Sequence, residues 1–105
     1  MSTPVPEITS KQTDLIRLCK KYRVRNLAIF GSALNDSFDP RRSDFDFLVD
    51  FEEMLPSAYA DAYFGLLEEL QVLFDRPIDL VTESSLRNPW LRREIEQNHS
   101  LLYAA

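Results

Sequence analysis

The sequence predicts an α/β domain of the α+β kind, a small mixed β-sheet of three to four strands with helices packed on it. Three observations carry that expectation. The chain has 105 residues, which is the size of one domain. Apolar side chains recur at helical spacing in some segments and alternate strictly in others. The two kinds of segment interleave as α-β-loop-β-α-β-α, an order that fits helices packed on one side of a mixed sheet in one unit. Hydrophobic residues make up 45% of the chain, with seven Phe and four Tyr, enough to fill a core.

Taken in order, residues 1–9 contain Pro4 and Pro6 and read as an N-terminal arm. The single domain then spans 10–105. A helix fits from Ser10, as N-cap, to Tyr22, because Leu15, Leu18, Cys19 and Tyr22 form one stripe at i, i+3, i+4, i+7. "VRNLAIF" (24–30) is rich in strand formers and stops at Gly31. Ser32 to Asn35 fit a short helical turn, and "SFDPRR" is a loop with Asp39 and Pro40 as turn formers. "DFDFLVDF" (44–51) alternates: Phe45, Phe47, Val49 and Phe51 face one way, and Asp44, Asp46, Leu48 and Asp50 the other. A longer helix follows Pro56 and runs to about Phe74. "RPIDLVT" (76–82) is a third strand, Pro89 starts a last helix, and "LLYAA" closes the chain as a strand or an extended tail. Trp90 reads as a packing anchor. The apolar stripe of 57–74 is wider than one packed face needs, which fits a buried central helix or a helix that also docks a partner.

Several function classes are excluded or disfavoured early. A net charge of −5 gives no broad basic surface for nucleic acid. One cysteine cannot close an internal disulfide, and the start "MSTPVPEITS" lacks a basic-then-apolar leader. No apolar run approaches the roughly 20 residues that span a bilayer. The expectation is a cytoplasmic domain. His99 is the only histidine, so a site built on several histidines is excluded by counting.

The informative segment is "FGSALNDSFDPRRSDFDFLVDFE" (30–52). Alternate strand residues share a face and lie roughly 6.6 Å apart, so Asp44 and Asp46 can converge on a cation with oxygen bonds of about 2.1 Å. Without one, they repel. An acidic pair on a rigid strand therefore suits Mg²⁺, and Asp79, in the β-type run "PIDLV", can complete a two-ion site if its strand lies alongside. Gly31 at a strand end lets backbone approach a bulky anion, and Ser32 adds a hydroxyl donor. Each feature alone fits an ordinary solvated sheet face. In this order, at strand ends, they make the equipment for moving a phosphoryl or nucleotidyl group.

These residues resemble the DNA polymerase β-like nucleotidyltransferase superfamily, and most closely its minimal nucleotidyltransferases (MNT). The likeness runs through "LAIFGSAL", "SDFDFLVDFE" and "RPIDLVTESSLRNPWLRREIEQ", so it covers nearly the whole chain. It implies that Gly31 and Ser32 hold the triphosphate, that Asp44 and Asp46 bind two Mg²⁺ ions, and that Asp79 completes the second metal site and helps deprotonate the acceptor. All three aspartates would be catalytic. The reaction implied is attack on the α-phosphate of ATP with loss of pyrophosphate. Minimal members resemble antitoxins that transfer AMP to a tyrosine of a HEPN-type ribonuclease toxin, so a hetero-oligomer with such a partner is expected. Ala33 and Asn35-Asp36 depart from the family's usual Arg and Gly, and Arg41 and Arg42 either restore the positive charge or form a solvated loop. Two rivals stand beside this enzyme: an antitoxin that acts by binding alone, and an aminoglycoside-type small-molecule transferase, for which 105 residues leave no acceptor domain.

Overall fold

The structure, a computed structural model, describes residues 6–31, 44–82 and 88–105, with Glu94 described in its backbone only. The elements run α1 (Pro6–Ser10), α2 (Gln12–Lys21), β1 (Val24–Phe30), β2 (Phe45–Phe51), α3 (Pro56–Phe74), β3 (Ile78–Thr82), α4 (Pro89–Gln97) and β4 (His99–Ala104). The four strands form one mixed sheet in the order β3-β2-β1-β4. β1 lies antiparallel to β2 and β4, while β2 and β3 are parallel. The closing segment is thus a strand. The helical turn expected at Ser32–Asn35 and the loop through Arg41 and Arg42 lie outside the described residues.

The alternation of β2 sets the two faces. Phe45, Phe47, Val49 and Phe51 are buried, and they pack with Leu27 and Ile29 of β1 against Leu15, Leu18 and Cys19 of α2 and Ala62, Leu66, Leu70 and Phe74 of α3. Phe45 and Phe47 both meet the Phe74 ring, at 5.1 and 6.0 Å between centroids. The opposite face is covered in part. There Phe30, Leu48 and Val81 pack against Leu91 and Ile95 of α4. Helices therefore sit on both faces, where helices on one side were expected. The Leu91–Ile95 stripe turns the neighbouring Trp90 outward, 76% exposed, so Trp90 does not anchor the helix.

The helices end where backbone conformation changes. α2 stops as Arg23 takes φ 58°, and α3 stops at Asp75 with φ 50°. α3 begins with Pro at its first turn, where the missing N–H costs nothing. The helix expected over 10–22 is broken at Lys11, whose φ of −110° leaves the helical region. Residues 6–9 do not trail as an arm: from Pro6 they are helical, and Ile8 is fully buried in the core. α2 and α3 are clamped by Tyr22, whose hydroxyl donates to Glu69, and by Lys21 at 3.1 Å from the same carboxylate. Gly65 makes that crossing possible. A Cβ there would stand 2.6 Å from the Tyr22 ring.

Candidate active site

β1, β2 and β3 bring Gly31, Asp46 and Asp79 to one end of the sheet. Phe30, the last residue of β1, faces Asp46 across the β1–β2 pair, and Asp46 faces Asp79 across the β2–β3 pair. Adjacent strands are spaced about 4.8 Å apart, so the two carboxylates start from neighbouring backbones. Both point to the face that carries Leu48 and Val81, because those residues follow them at i+2 and pack with α4. Asp44 sits one residue ahead of β2, exposed, and shares the parity of Asp46. Asp46 is half-buried and Asp79 is exposed.

Gly31 closes the arrangement. It has φ +78°, and a Cβ at this position would stand 2.5 Å from Oδ2 of Asp46. Only glycine reaches that conformation without strain, and only the absence of a side chain lets the chain turn against the carboxylate. Ser32, its expected partner in holding phosphate, lies outside the described residues. The fold thus gathers Asp46, Asp79 and Gly31 directly and leaves Asp44 at the rim.

The donor set suits a hard cation, since carboxylate oxygens are the ligands Mg²⁺ takes. Among the described residues, no three His, Cys, Asp or Glu side chains already stand together in ligand geometry. What the fold supplies is register: Asp46 and Asp79 face each other on paired strands, where two like charges repel.

Three more residues neighbour these strands: Tyr63 and Arg76, not singled out from sequence, and His99, weighed there only by counting. Tyr63 of α3 donates its hydroxyl to the Leu80 carbonyl at 2.6 Å. Burial, and then the charge of Asp79, push its pKa up, so it stays neutral beside β3. His99 of β4 faces Phe30 in the same cross-strand row, with Nδ1 2.7 Å from the Ile95 carbonyl. A carbonyl only accepts, so Nδ1 carries the proton. Arg76, three residues before Asp79, lies over the Phe45 ring. None has a sequence signal of its own, because each depends on a contact across the sheet or with a distant helix.

Beyond α4 the same sheet face opens into a hollow of about 320 Å³ lined by Asn26, Ala28, Leu48, Asp50, His99 and Leu101. Asp50 is met there by Arg25 at 3.6 Å. Among the described residues no helix is long and apolar enough to cross a membrane.

Comparison with known proteins finds relatives along nearly the whole chain. The profile of the nucleotidyltransferase domain family matches residues 15–103. Two Methanocaldococcus jannaschii proteins, each named as a candidate protein adenylyltransferase, are 30% identical over 94 residues and 35% identical over 98, with 90% of both chains covered in each case. A solved candidate minimal nucleotidyltransferase superposes with a TM-score of 0.70 at 24% identity, covering 92% of this chain and 94% of that one. A tri-AMPylated Shewanella oneidensis HEPN toxin in complex with its MNT antitoxin superposes at 0.63 and 20%, covering 92% and 73%. At these identities the solved structures show the shared fold.

Proposed function

This chain belongs to the nucleotidyltransferase domain family, and from that premise we propose that it is a Mg²⁺-dependent protein adenylyltransferase. It moves AMP from ATP to a hydroxyl of a protein partner in the cytoplasm. The partner is the HEPN-type toxin of a toxin–antitoxin pair. The observation that carries the reading is the cross-strand register of Asp46 and Asp79 beside Gly31. Two further supports are the names of its archaeal relatives and the toxin complexes that share its fold.

Each residue has a task in the step. Gly31, together with Ser32, offers backbone and hydroxyl donors to the triphosphate. Asp44 and Asp46 hold the metal, and Asp79 joins them from β3. When bound, two Mg²⁺ ions neutralise the phosphates and stabilise the charge that develops at the attacking and leaving oxygens. Asp79 is exposed and so open to an incoming hydroxyl, whose proton it takes. The acceptor oxygen forms its bond to the α-phosphorus as the bond to pyrophosphate breaks.

The test is to incubate the protein with ATP, Mg²⁺ and the co-encoded partner, and to weigh the partner. One or more added adenylyl groups are expected, and none with Asp44→Asn plus Asp46→Asn. A second reading, neutralisation by binding alone, is favoured by Phe64 of α3, a large apolar side chain left 64% exposed. Protection of cells from the toxin by the double Asn variant would establish that reading instead.

A further inference from the structure

We propose that Arg76 is a positioning residue for the carboxylates of β2, an inference that rests on the site reading above. Phe45 stands between Asp44 and Asp46 in the chain, and its ring points to the core. The Arg76 guanidinium lies over that ring, 4.3 Å from its centroid. Its side chain is 10% exposed, and Nη2 donates to both carboxylate oxygens of Glu7 in α1, at 2.9 and 3.1 Å. The backbone reinforces the contact: the Phe45 N–H donates to the Pro77 carbonyl at 3.4 Å, and Phe45 faces Ile78 in the β2–β3 register.

Residues 76–78 therefore hold Phe45 by its ring, its amide and its register. Side chains alternate along a strand, so fixing the ring on the core face fixes the direction of Asp44 and Asp46 on the other. Arg76 also lies three residues before Asp79. One side chain thus ties together the two strands whose carboxylates must meet. Arginine suits this place. Its planar group stacks on an aromatic face while its edge pairs with a carboxylate, which a lysine ammonium does less well. Glu7 neutralises the guanidinium, which allows the cation to stay largely buried over the ring.

The experiment follows Mn²⁺ binding by electron paramagnetic resonance, with the non-hydrolysable ATP analogue AMPCPP present. Arg76→Met is expected to weaken Mn²⁺ binding roughly tenfold, the scale seen when a residue supporting a metal ligand is lost. Arg76→Lys, which keeps the charge but not the plane, should fall between Met and wild type. Leu15→Ala, a buried site on α2, is the control: it lowers the melting temperature and leaves Mn²⁺ affinity within about twofold of wild type. The proposal is overturned if Arg76→Met also stays within that range, or if Leu15→Ala weakens binding as much. Should wild type bind no Mn²⁺, or the Asp44→Asn plus Asp46→Asn variant bind it equally, the site reading itself is wrong. Amide exchange then decides the positioning role separately. In Arg76→Met the Phe45 amide should exchange roughly tenfold faster relative to that of Val49; equal acceleration of both would remove the role.

Discussion

A single hydrogen atom on Gly31 decides whether β1 can end against Asp46. Alanine there meets two penalties, a left-handed backbone and a Cβ within 2.5 Å of Oδ2. The backbone term alone costs about 1–2 kcal/mol. Gly31→Ala should lower unfolding stability in urea by at least that amount and weaken nucleotide binding as Asp46 is displaced. Cys19 is a contrasting residue. Burial pushes its thiol up to about 12, and nothing near it pulls the thiolate back. It should resist DTNB at about pH 8 in the folded protein and react at once in denaturant. Its place on the stripe of α2 was legible from spacing. The acidic residues were legible too, because Asp44 and Asp46 interrupt an apolar strand and Asp79 interrupts a β-type run. Arg76 was not: it read only as the first residue of the third strand, which starts at Ile78 instead, and its partners Glu7 and Phe45 are far away in the chain.

Elements were readable where the local pattern was long enough to show a period. α3 runs from Pro56 to Phe74 as expected, since proline starts it and nineteen residues display the stripe. α1, with five residues, is too short to display one, so the proline-bearing start read as an arm although Ile8 is core. The clamp between α2 and α3 gives this scale its prediction. The hydrogen bond from Tyr22 lowers the Glu69 pKa, with Lys21 adding to the effect. The bond to Glu69 in turn raises the pKa of both Tyr22 and Lys21. A lowered acid contributes stability above its unfolded value of about 4.3 and loses it as pH falls through the folded value. A raised Tyr or Lys contributes fully below its unfolded value of about 10 and loses it as pH rises through the folded one. Tyr22→Phe should therefore cost most near neutral pH, under about 1 kcal/mol because the pair is solvated. The difference from wild type should shrink at both the acid and the alkaline end of a pH series of thermal melts.

The whole molecule joins one stretch, which holds Gly31, Asp44 and Asp46, to Asp79, more than thirty residues further along the chain. Gly31 follows β1, Asp44 and Asp46 flank the start of β2, Asp79 lies in β3, and only the sheet order β3-β2-β1 brings them to one end of the sheet. That order was not legible, because pairing between strands leaves no local mark. Nor was the side of α4, whose stripe fits either face of a sheet. The chain belongs to the nucleotidyltransferase domain family, and beyond α4 the sheet face carrying Leu48 stays open as a hollow of about 320 Å³. The central claim is that these three aspartates share divalent metal next to the turn at Gly31. Anomalous diffraction from crystals grown with Mn²⁺ and AMPCPP tests it most directly. The account predicts Mn²⁺ peaks bonded to Asp44, Asp46 and Asp79, with the triphosphate against Gly31. Peaks seated elsewhere, with Asp79 turned away from Asp46, would contradict it.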